Sequence, residues 1–85
     1  MTRANETAAA FMNEEDAIRD REQFVRNLGD LLSQTRDGVL GCDLINAEQP
    51  DEFVLVTYKG GGLRNIGTYM DSYAAIVRDV ARRFQ

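Results

Sequence analysis

Two apolar periods share this chain, and the change between them at Gly38 constrains the fold more than any other feature. Up to that glycine, Phe11, Ile18, Val25 and Leu32 recur every seven residues. Ala10, Ala17, Phe24 and Leu31 run alongside them, and Leu28 fills the gap between two layers. One continuous stripe of this kind is what an amphipathic helix requires, so residues 7–35 are expected to be helical. Asn13 is placed to cap it, because Glu14, Glu15 and Asp16 follow where the helix dipole favours negative charge. A cap there leaves residues 1–12 as a frayed extension or a short separate turn. Gly29 weakens such a helix by ~1 kcal/mol relative to alanine. Gly38, after the last apolar layer, is where the chain is expected to reverse.

Beyond Gly38 the period is two. In Val39–Asn46, Leu40, Cys42 and Leu44 alternate with Val39, Gly41, Asp43 and Ile45. In Phe53–Lys59, Val54, Val56 and Tyr58 alternate with Phe53, Leu55 and Thr57. Both segments are rich in β-branched or aromatic residues and bounded by turn formers, as strands are. Between them, AEQPDE holds the single proline and suits a hairpin loop, and Gly60, Gly61 and Gly62 form a second turn before a short strand, Leu63–Gly67. Thr68 followed by Asp71 fits a capping box in its aspartate form, which starts the last helix at Tyr69. Met70, Tyr73, Ala74, Val77, Val80, Ala81 and Phe84 then share one face, with Ile76 at its margin.

The expected fold is therefore α+β in the order α-β-β-β-α: a three-stranded antiparallel meander with two helices packed on one face, in one domain over residues 1–85. Its core is expected to hold Val25, Leu28, Leu32, Leu40, Leu44, Val54, Val56, Val77, Val80 and Phe84. A domain this small buries only roughly 60–65% of its unfolded surface. Three short strands cannot cover five layers of the first helix and the last helix as well, so the chain is expected to form a homo-oligomer, most simply a dimer.

The chain has no histidine and one cysteine, Cys42. That removes the commonest general base and metal ligand, leaves no intrachain disulfide, and makes Cys42 a small core residue rather than a nucleophile. No catalytic residue, metal ligand or cofactor is assigned, and the chain is read as no enzyme. Gly62 to Gly67-Thr68 has the glycine spacing of a phosphate loop but lacks the lysine that neutralises phosphate, so its glycines are read as turn residues. Glu14, Glu15, Asp16 and Asp20 cannot share one helix face and read as a helix start. Asn5-Glu6-Thr7 matches a glycosylation acceptor by pattern only. No apolar run approaches the ~20 residues of a membrane helix and no signal-peptide core is present, so a cytoplasmic location is expected.

Fourteen acids against ten bases give a formal charge of −4, unevenly spread. Residues 37–52 contain Asp37, Asp43, Glu48, Asp51 and Glu52 with no base, while residues 53–85 contain five bases against two acids. A concentrated acidic segment can oppose a basic cleft on another protein, because steering depends on local charge. The alternative surface is basic. Tyr58, Lys59 and Arg64 flank the glycine turn, and Arg78, Arg82 and Arg83 lie near the chain's end, a set that would suit a small nucleic-acid-binding regulator.

The stretch VTYKGGGLRNIGTYMDSYAAIVRDVARRF, within residues 53–84, resembles the C-terminal half of short uncharacterised proteins of bacterial prophages and other mobile elements. The shared pattern is a strand, a Gly-rich hairpin, a third strand and a helix opening near Asp-Ser. The resemblance implies a cytoplasmic accessory protein and carries over no catalytic residue. Together with the acidic segment it gives the expected function: a non-enzymatic module that binds another protein, in concrete form an inhibitor of a host CRISPR nuclease or restriction system.

Overall fold

The computed structural model describes residues 14–83, and the expected Asn13 cap, the segment 1–12 and the core position Phe84 lie outside them. Helix α1 runs Glu14–Thr35 with its three acids in the first turn. It ends as the Arg36 N–H donates to the Leu32 carbonyl, and Gly38 reverses the chain at a φ of 90°. Strands β1 (Val39–Ile45), β2 (Phe53–Tyr58) and β3 (Leu63–Gly67) follow, and helix α2 (Tyr73–Arg82) closes the order. The sheet is antiparallel in the order β1-β2-β3, with Leu44, Val54 and Ile66 in one register row and Asp43, Leu55 and Asn65 in the next. Val25 and Leu32 of α1 and Ile76 and Val80 of α2 bury in one cluster with Cys42, Leu44, Val54, Val56 and Ile66, so both helices cover the same face of the meander.

Gly29 has a positive role in this packing. A Cβ built on it would lie 2.3 Å from the Cys42 backbone nitrogen and 2.9 Å from the Cys42 Cβ. The helix therefore approaches β1 at a distance no side chain allows, and the propensity lost at Gly29 is exchanged for backbone contact.

Several expectations are corrected. Leu40 is not core; it is 60% exposed, and Val39 is fully buried in its place. The cause is an irregularity between Val39 and Gly41: Val39 pairs with Tyr58 and Gly41 with Thr57, so Leu40 is an extra residue that reverses the alternation behind it. Helix α2 begins four residues later than the capping-box reading gave. Ser72 is its N-cap, taking a hydrogen bond from the Ala75 N–H at 3.1 Å, while the Thr68 hydroxyl is engaged elsewhere. The buried face of α2 is set by Ile76 and Val80, at i and i+4, and Val77 is 39% exposed. Leu28 is half-buried rather than buried.

Candidate functional site

Position 21 falls within the apolar stripe of α1, between Ile18 and Val25, yet it is an arginine. It is buried, and its burial is compensated bond by bond. The guanidinium meets Glu52 in a bidentate pair, with Nε donating to Oε1 at 2.7 Å and Nη2 to Oε2 at 2.8 Å. Its remaining donors reach two carbonyls of the β3–α2 loop, Thr68 at 2.9 Å and Asp71 at 2.7 Å. Glu52, 2% exposed, also accepts from the Thr68 hydroxyl at 2.6 Å and from the Glu48 backbone N–H at 2.9 Å. Burial alone would push the Glu52 carboxyl up, but the Arg21, Glu48 and Thr68 hydrogen bonds hold it below its ordinary range. Glu52 in turn raises the Arg21 pKa. One side chain from α1 thus ties together the β1–β2 loop and the β3–α2 loop.

Those two loops contain every non-glycine residue with positive φ among the described residues: Asn46 at 55°, Glu48 at 66° and Met70 at 65°. L-residues adopt this region at a cost, and they hold it where the surroundings over-determine it. In the β1–β2 loop the surroundings are hydrogen bonds from the Gln49 N–H to the Asn46 carbonyl, from the Glu52 N–H to the Gln49 carbonyl, and from Asn46 Nδ2 to Asp51 Oδ2 at 2.9 Å. In the β3–α2 loop the Asp71 N–H closes a turn on the Thr68 carbonyl, with Tyr69 and Met70 at its exposed tip. Behind the tip, Asp71 Oδ2 is buried with no hydrogen-bond donor among the described residues. Burial and the neighbouring Asp79 carboxylate raise the Asp71 pKa, whereas Arg78 and Asp71 lower that of Asp79.

The acidic set is divided by this geometry. Glu48 and Asp51 are brought together, exposed, on the fixed loop, and a Glu48 carboxylate oxygen lies 3.3 Å from Arg21 Nε. Glu52, read in the sequence as part of the acidic segment that would oppose a basic cleft, is instead buried beneath that loop, where Arg21 neutralises it. Asp43 is exposed on β1, on the sheet face away from the helices, and Asp37 stands in the turn before β1, at the far end of that strand. The basic set is divided as well. Lys59 and Arg64 are exposed at the β2–β3 hairpin, and Tyr58 is half-buried against the core. Arg78 pairs with Asp79 at 3.0 Å, and Arg82 and Arg83 border a cavity of about 270 Å³ at the Gly67 end of β3, away from the hairpin. The Cys42 thiol is buried and pushed up to about 11, chiefly by that burial, which keeps it protonated at neutral pH. Among the described residues no group of three or more acids and cysteines is placed to hold a metal ion, and no helix is long and apolar enough to cross a membrane.

The Arg21–Glu52 pair was missed in the sequence, although it left a signal there: a lone cation on an otherwise apolar stripe at positions 18, 25, 28 and 32. The chain matches no protein-family model, no curated protein and no solved structure.

Proposed function

We propose that the chain is a small non-enzymatic protein-binding module, self-associating and cytoplasmic, that engages a basic surface of another protein through its β1–β2 loop. The observation that carries this reading is the pairing of strain with display. Asn46 and Glu48 hold left-handed backbone in one loop, Glu52 and Arg21 fix that loop from below, and Glu48 and Asp51 stand exposed on it. A loop fixed before binding loses little further entropy on association, so its exposed carboxylates are already in place for a cationic partner. In its concrete form the partner is a host nucleic-acid-targeting machine, a CRISPR or restriction nuclease, whose cationic channel the loop occupies in competition with nucleic acid. That form draws on the resemblance to prophage proteins read in the sequence of residues 53–84.

The test is affinity capture from host lysate with and without nuclease treatment, using the wild type, Glu48→Lys/Asp51→Lys, and Lys59→Ala/Arg64→Ala. A protein retained after nuclease treatment, kept by the hairpin variant and lost by the loop variant, is the expected result. Capture that disappears with nuclease, or that depends on Lys59 and Arg64, overturns this reading in favour of nucleic-acid binding.

A further inference from the structure

One face of the molecule carries a continuous apolar strip, and we propose that two copies of this chain pair through it. The proposal rests on the self-association in the reading above and not on its acidic loop. The strip opens at Met70, which is 84% exposed at the tip of a turn whose two end carbonyls are both held by Arg21. It continues to Tyr73, whose ring stacks on Phe24 with centroids 4.4 Å apart and 13° between planes, and whose hydroxyl donates to Asp20. From Phe24 it follows α1 to Leu28 and Leu31, at i+4 and i+7, the spacing that accepts a packed partner. Val77 of α2 faces these residues across a cavity of about 260 Å³, in which Asn27 is the one polar lining residue.

Seven large apolar side chains are exposed among the described residues, and five of them, Leu31, Tyr69, Met70, Tyr73 and Val77, belong to this strip and its turn. Their exposed area is on the order of 500 Å² per copy, which matches the apolar share of the ~800 Å² that each partner buries in a standard interface. The strip also complements itself. It has a protruding side chain, Met70, and a cavity lined by Phe24, Leu28, Leu31 and Val77, one wall of which is the Phe24 ring stacked on Tyr73. A two-fold axis that sets each Met70 into the other copy's cavity closes the assembly at two chains. Methionine suits that place, since its unbranched side chain fills irregular gaps.

Sedimentation equilibrium of the full chain across the micromolar range tests this, with Leu31→Asp, Met70→Asp and, as a control on the sheet, Leu63→Asp. All three residues are exposed, and circular dichroism checks that each variant folds. The expected result is a wild-type dimer, weakened about tenfold or more by each strip substitution and unchanged by Leu63→Asp. A dimer insensitive to both strip variants, or lost to Leu63→Asp instead, overturns the strip while self-association stands. A monomer at every concentration overturns both, whether the strip is then covered by residues 1–13 of the same chain or by a different protein, and leaves the acidic-loop reading to its own test.

Discussion

Arg21 leaves water for four acceptors, two on the Glu52 carboxylate of the β1–β2 loop and two carbonyls of the β3–α2 loop, and this exchange makes the region sensitive to single substitutions. Arg21→Ala strands a buried carboxylate and Glu52→Ala strands a buried guanidinium, so each is expected to cost about 3–5 kcal/mol in urea unfolding. Arg21→Met/Glu52→Leu should cost clearly less than the two single losses combined, because no charge is then left unpaired. The pH dependence has two parts of opposite sign. Glu52 titrates lower in the fold than in the unfolded chain, so its contribution is present above the ordinary value of about 4.3 and is lost as pH falls through its lowered pKa. Asp71 titrates higher in the fold, so stability is lost as pH rises from the ordinary value of about 3.9 through its raised pKa. Asp71→Asn removes that loss and supplies a donor toward Asp79. The variant should be more stable than wild type at neutral pH, with the gain vanishing in acid; unfolding measured from acid to neutral pH checks it.

At the scale of elements, Gly29 separates helix propensity from packing. Propensity says that Gly29→Ala gains ~1 kcal/mol, whereas the added Cβ meets Cys42 backbone, which cannot swing aside. Packing should win, with a net loss of about 1–3 kcal/mol in thermal or urea unfolding. A gain would mean that α1 and β1 are not in backbone contact there. The same contest explains what could be read in advance. The change of period at Gly38 declared α1 and the meander, because alternation and seven-residue spacing are properties of each segment alone. The irregularity at Leu40 was not legible, since it depends on how Val39 and Gly41 meet Tyr58 and Thr57 across the sheet. Nor was the start of α2, because Thr68 has the chemistry of a cap but spends its hydroxyl on a carboxylate sixteen residues upstream. In the candidate site, Glu48 and Asp51 were legible as exposed acids, while Glu52, next to Asp51, was not legible as a buried one. Its partner lies 31 residues away in α1.

For the whole molecule, one end gathers the buried ion pair, the strained residues and the exposed acids of the β1–β2 loop, and the apolar strip begins there at Met70. The charge and the apolar surface are expected to do separate work, the loop steering a cationic protein and the strip joining two copies. Reversing Glu48 and Asp51 should therefore leave the mass in solution unchanged while altering recognition. The most direct measurement is the association rate between the chain and the protein it captures, taken for wild type and Glu48→Lys/Asp51→Lys at low and physiological salt. The account predicts a rate for the variant about tenfold or more below wild type at low salt, with the two converging as salt screens the loop. Equal rates that salt does not change would contradict it.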